Sequence, residues 1–218
     1  MLRLISSFHI LFSFLDLENL NPASELFRTL NMKTFVQSMC HNSRGLQGVV
    51  STSVLQAEVV SMENSIMDSC IISVPVICEP RTIVSHCVIG DPVVKTIPAG
   101  WMFHTAAIKQ NHSVRYITIA FLVNDDLKGT IEQSNGWKST TLDSASCTLW
   151  QARLFEAYDT MDKSFAETWK KVTNFSSNHK EEPMDHVTRF SMQDIVKLKH
   201  IPSMMEHMDN IRQMIKVI

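Results

Sequence analysis

After Gly48 the chain becomes a dense succession of branched aliphatic residues broken by small polar ones: Val49, Val50, Val54, Val59, Val60, Ile66, Ile71, Ile72, Val74, Val76, Ile77, Ile83, Val84, Val88 and Ile89. Few helix formers interrupt it, so β structure is expected. Ile71, Ile77, Ile83 and Ile89 recur every six residues, and Val54, Val60, Ile66 and Ile72 keep the same step. Six is neither the period of a helix nor the alternation of a strand. It is the step of a hexapeptide-type parallel β-helix, in which three short strands make a coil and each supplies one inward aliphatic side chain. A single coil cannot bury those side chains, but stacked coils line them into a continuous core, and the length available suits about three coils. By analogy with hexapeptide repeats the solenoid is expected to be left-handed. An ordinary antiparallel sheet with fortuitous spacing is the competing reading.

Ile89-Gly90-Asp91-Pro92 reads as a repeat start followed by a corner, with glycine supplying the unusual backbone. Ile97 then arrives two residues late, and Pro98-Ala99-Gly100 predicts a turn that ends the regular coils, with Trp101, Met102 and Phe103 covering the exposed end. A strand is expected from Arg115 to Val123, with Asn124-Asp125-Asp126 as its turn. Beyond residue 145 helical spacing takes over, since Leu154, Tyr158, Met161, Phe165, Trp169 and Val172 fall three or four apart. Asp159 to Asp162 offers a helix start that would split this stripe into a short strand or loop and one helix. Ser176 to Pro183 reads as an exposed loop. Ser191 with Asp194 and Ser203 with Glu206 are capping-box arrangements, and Met204, Met208, Ile211 and Ile215 form an apolar helix face, read as a core contact. The fold class is mainly β with C-terminal α: residues 1–48 of uncertain fold, a solenoid over 49–145 and a helical segment over 146–218.

The amino-terminal part is less informative, with a helix expected from Ala23 to about Leu30. An apolar run from Leu4 to Leu15 follows Arg3 like a signal-peptide core, but Ser6, Ser7, His9 and Ser13 interrupt it and it is too short to span a bilayer. A core strand or helix fits it better. The 20 basic residues are scattered among 22 acidic ones for a net charge of -2, so no cationic stripe is available for nucleic acid, and no membrane partner is expected. The cysteines number 5, without a C-x-x-C pair, which argues against structural zinc. Cys70, Cys78 and Cys87 sit among aliphatic residues as small apolar thiols, which suits a reducing, cytoplasmic setting. The triplets Asn111-His112-Ser113 and Asn174-Phe175-Ser176 would matter only in a secreted chain.

No glycine-rich phosphate loop, nucleophile elbow or H-E-x-x-H motif occurs, and the chain has only 6 glycines. Arg44-Gly45-Leu46-Gln47-Gly48 and Ile97-Pro98-Ala99-Gly100 have the wrong spacing. Among the histidines, His86 is expected to be exposed on a solenoid face, and His104, just past Trp101, could line an open end. Arg81, Lys109, Arg115 and Arg153 could contact phosphates, although solvation of a surface charge explains each equally well. The candidate substrate-binding residues are therefore His104, Arg115 and Arg153. No residue is singled out as catalytic, as a cofactor contact or as a metal ligand.

The run from Ile97 to Lys128, IPAGWMFHTAAIKQNHSVRYITIAFLVNDDLK, is similar to the end of the β-helix in the GDP-L-fucose pyrophosphorylase (fucose-1-phosphate guanylyltransferase) family. Thr148 to Phe155, TLWQARLF, resembles the L-W-x-A-R-x-F segment of that family, and Ser191-Met192-Gln193-Asp194-Ile195 resembles its terminal helices. The resemblance covers residues 50–218. It implies transfer of guanylyl from GTP to fucose 1-phosphate, with release of pyrophosphate and help from magnesium. In the family an amino-terminal α/β domain holds the nucleotide, and the stretch before residue 50 is too short for one. The expectation is a C-terminal portion that is inactive alone and serves stability, oligomerisation or lid contacts. A complete, non-enzymatic solenoid that offers its stacked face or its Met204–Ile215 helix to a protein partner is the alternative. A hexapeptide-repeat acyltransferase using His86 or His104 comes last, because no supporting motif accompanies either histidine.

Overall fold

The computed structural model describes residues 39–40, 48–61, 64–137, 147–176 and 188–216. The apolar run 4–15, the helix expected at 23–30 and nearly all of the loop expected at 176–183 lie outside them. In chain order the elements are β1 (Met39–Cys40), β2 (Val49–Ser51), β3 (Val54–Leu55), β4 (Val59–Ser61), β5 (Ile66–Asp68), β6 (Ile71–Ile72), β7 (Val76–Cys78), β8 (Ile83–Ser85), β9 (Val88–Ile89), β10 (Thr96–Ile97), β11 (Trp101–Gln110), β12 (Ser113–Leu122), β13 (Phe155–Glu156), α1 (Met161–Ser176), β14 (Arg189–Phe190), α2 (Met192–Leu198) and α3 (Ile201–Lys216). The expected parallel solenoid is present. Three ribbons of short parallel strands, β2-β5-β8-β11, β1-β3-β6-β9 and β4-β7-β10, form its sides.

The coil is not three steps of six. Val49 pairs with Ile66 and Ile66 with Ile83, so stacked partners stand 17 residues apart. Strands begin at Val49, Val54, Val59 and Ile66, which makes the steps five, five and seven. Consequently the inward columns are Leu55-Ile72-Ile89, fully buried, and Val50-Met67-Val84, continued by Phe103. Ile77, counted on the six-residue column, is 40% exposed. It is the middle residue of Val76-Ile77-Cys78, and alternation along a strand turns it outward while its neighbours turn in.

Two corners also stack at the 17-residue interval. Thr52, Ser69 and His86 have φ of 45°, 56° and 53°, and Asn64 and Arg81 have 58° and 60°, followed by Gly100 at 73°. The sequence placed a glycine corner at Gly90; the left-handed positions are instead mostly non-glycine. A left-handed residue costs about 1–2 kcal/mol. The ladder holds it in place, because Ser69 N donates to Ser51 O at 3.1 Å and His86 N to Asp68 O at 2.9 Å, each reaching the coil below.

The late arrival of Ile97 is real: it pairs with Cys78, 19 residues back, two more than a regular coil. Trp101 to Phe103, however, do not cap the end. Met102, Phe103 and His104 pair in parallel with Ile83, Val84 and Ser85 and add another rung. β11 then outruns the solenoid and returns as β12 through Asn111 and His112, both left-handed, in antiparallel register from Trp101↔Leu122 to Gln110↔Ser113. Two such residues give a hairpin the twist of its strands.

The stripe after residue 150 divides at the Asp159–Asp162 start. Phe155–Glu156 is a strand paired with Arg189–Phe190, and α1 follows it. This helix packs across β9, β11 and β12: Phe165 meets Phe103 at 5.2 Å between ring centres, and Trp169 Nε1 donates to Thr96 O at 2.7 Å. Ser191 caps α2 as expected, its hydroxyl accepting from Asp194 N. Ser203 does not cap a helix. α3 already begins at Ile201, and the Ser203 hydroxyl lies 2.9 Å from His200 Nδ1. Met204 and Ile211 are buried, Met204 with its sulfur 3.1 Å from Ala107 N, so the methionine face is a core contact.

Candidate functional site

The first place where functional side chains meet is a histidine cluster on the outer face of the largest sheet. Cross-strand pairing puts His104 opposite Ser85, and the left-handed corner after β8 turns His86 toward the same side. Ser85 Oγ lies 2.9 Å from His86 Nδ1 and 3.3 Å from His104 Nδ1, with the two rings 5.2 Å apart. From α3, His207 brings a third ring to 6.4 Å from His86 and donates from Nε2 to Ser69 O at 2.9 Å. All three are buried, at 2%, 3% and 7% exposure for His86, His104 and His207. His86 therefore does not lie on an exposed face: the C-terminal helix covers the corner from which it projects. Burial holds His207 below its ordinary value, opposed in part by the Ser69 carbonyl. Such a cluster can store or exclude protons.

The second place is an open groove of about 460 Å³ beside the hairpin tip, lined by Gln110, Asn111, Ser113, Arg115, Ala157, Thr188 and Phe190. Arg115 sits on β12 opposite Ile108. Its Nη2 donates to Ala157 O at 2.8 Å, and its Nε is 3.1 Å from Asp159 Oδ1, an ion pair in which the N–H is not aimed for a hydrogen bond. Beneath the groove, Glu156 binds Lys171 at 2.5 Å, Arg189 at 3.3 Å and the Tyr158 hydroxyl at 2.8 Å. Burial alone would raise Glu156, but these partners outweigh it and hold its carboxyl below the ordinary range. That knot fixes β13, β14 and α1 to one another.

His104, Arg115 and Arg153 do not share a pocket. His104 and Arg115 lie on the same face of the β11–β12 hairpin, but only Arg115 lines the groove. Arg153 is largely exposed, its Nε 3.7 Å from Asp194 Oδ2 beside the cap of α2. Arg81 donates to Asn124 Oδ1 at 3.2 Å on the surface. Sequence reasoning missed His207 and Glu156. The coil interval could have paired residues 69 and 86, but no local signal ties residue 207 to residue 69.

Among the described residues no three His, Cys, Asp or Glu side chains converge as a metal ion would need. Among them, too, no helix is long and apolar enough to cross a membrane. A family model for the fucose pyrophosphorylase domain matches residues 9–160, taking in every coil of the solenoid, both strands of the hairpin and part of the groove. No curated protein and no solved structure matches the chain.

Proposed function

Because the chain belongs to the fucose pyrophosphorylase family, we propose that it forms the solenoid and helical part of an enzyme that transfers guanylyl from GTP to fucose 1-phosphate. The family match over residues 9–160 carries this reading. GTP and magnesium are then held by a nucleotide-binding part of the enzyme, because phosphate cradling requires close backbone amides and the sequence has no glycine-rich loop to offer them. The solenoid works as a rigid support, and turnover requires the nucleotide-binding part. Candidate sugar-phosphate contacts are Arg115 at the groove, then Arg153 and His104. A cytoplasmic setting fits the unpaired, buried thiols of Cys70, Cys78 and Cys87.

The test is guanylyl transfer by the purified chain with GTP, magnesium and fucose 1-phosphate, followed by pyrophosphate release and by calorimetry for GTP. A folded sample silent in both supports a supporting role. Turnover above a blank would overturn it.

One observation favours a second reading as an interaction module, through self-association or a protein partner. Val196 (53% exposed), Leu198 (37%), Ile201 (47%) and Met205 (45%) form an apolar surface where α2 gives way to α3. Light scattering across a concentration series tests it, with a Met205→Glu variant that should lower any association.

A further inference from the structure

Helix α3 starts beside β11, where Lys199 bridges to Ile108, and crosses the coils toward β3. Midway, His207 fastens it to the corner of the second coil through the Ser69 carbonyl. A carbonyl only accepts, so His207 Nε2 carries the hydrogen and any further proton must go to Nδ1. Ser85 has a single hydroxyl hydrogen for two Nδ1 atoms, so at least one of His86 and His104 keeps its own hydrogen on Nδ1. Other titratable or charged groups along this seam are Asp68 of β5, whose carboxylate accepts from the Ser69 hydroxyl at 3.2 Å, Lys199 and His200 where α3 meets β11, and Glu206, Asp209 and Arg212 on the exposed side of α3.

We infer that His207 is an acid-sensitive clasp: neutral, it fastens α3 to the solenoid, and protonated, it becomes a buried cation beside the His86 imidazole and releases the helix. Burying an imidazolium costs more than burying an imidazole, and any charge gained by His86 adds repulsion at 6.4 Å between rings. The direction follows from linkage. The detached helix takes up a proton at the ordinary histidine value of 6.5, the docked one only at lower pH. Docking is therefore strongest above 6.5 and weakens as pH falls from there through the docked value. Release uncovers Met204, Ile211 and the β11 surface at Ala107, an apolar area presented only in acid. The clasp is independent of the guanylyl-transfer reading.

Hydrogen exchange on the full chain, compared between about pH 7.5 and about pH 5.5 after correction for intrinsic rates, tests the clasp. Protection of α3 should fall by about tenfold per pH unit at most, one proton being involved, while α1 keeps its protection. In His207→Gln, whose amide can still donate to Ser69 O, α3 protection should be flat over this range. Parallel loss in α1 and α3, or an undiminished acid loss in His207→Gln, overturns the inference. Should that variant fail to dock α3 even at neutral pH, the His207 ring titration in the unaltered protein decides. Titration below the ordinary value, coincident with α3 release, supports the clasp, and titration at or above it refutes the clasp.

Discussion

Asp162 accepts hydrogen bonds on Oδ1 from the backbone N–H of Gly90 at 2.6 Å and of Asp91 at 3.2 Å. One carboxylate in the first turn of α1 thus ties the helix to the last regular corner of the solenoid, 72 residues earlier. Asp162→Ala leaves two amides without this partner and should lower stability by about 2–3 kcal/mol, since hydrogen bonds to a charged group are worth more than neutral ones. Asp162→Asn keeps one acceptor and should lose about half as much. Urea denaturation of both variants checks the order; equal losses would show that the oxygen contacts are incidental.

The coil interval makes a prediction that a six-residue repeat does not. Ile72→Ala opens a cavity in the fully buried Leu55-Ile72-Ile89 column and should cost about 3 kcal/mol. Ile77→Ala, at 40% exposure, should cost well under about 1 kcal/mol. Comparable losses in thermal or denaturant unfolding would count against the 17-residue register.

Gly100, at φ 73°, has no atom within 4 Å of where a Cβ would stand. Gly100→Ala should nevertheless destabilise by about 1 kcal/mol, because the penalty lies in the left-handed backbone and not in crowding. Its stacked neighbour Arg81, at φ 60°, should tolerate Arg81→Gly or gain slightly. A neutral Gly100→Ala by denaturant titration would sink the strain argument.

Glu156 makes the acid response of the groove predictable. Its folded value is depressed, so the stability it contributes is present above the ordinary 4.5 and is lost as pH falls through the depressed value. Glu156→Gln should cost about 2 kcal/mol near neutral pH, by leaving Lys171 and Arg189 without their carboxylate, and should flatten the decline below 4.5. The readout is stability measured across that range; an unchanged acid slope would mean that Glu156 is not the group titrating.

Thiol labelling separates surface from core. Burial raises Cys70 well above its ordinary value and pushes Cys78 up to about 12, and both are fully buried. Cys147 is partly exposed whereas Cys70, Cys78 and Cys87 are buried, so Cys147 should react with a maleimide well before those three in the native protein. Modification of Cys70 or Cys78 at a similar rate, mapped by peptide mass, would show that the solenoid opens readily.

The sequence alone determined the class of this protein: a stack of parallel strands followed by helices, with a cap at Ser191 and a helix start at Asp159–Asp162 ahead of α1. Those features are local, because aliphatic recurrence, capping hydroxyls and turn residues act within a few positions of themselves. Even the two-residue delay at Ile97 was legible as a break in spacing. The tertiary structure decided the rest. The step length is set by corners whose left-handed residues are held by the coil beneath, so five, five and seven cannot be told from six, six and six by counting isoleucines. Whether Trp101 to Phe103 would cap the solenoid or extend it depended on a free strand edge at β8. His207 meets Ser69 across 138 residues, and Arg189 meets Glu156 across 33, through packing that no local pattern announces.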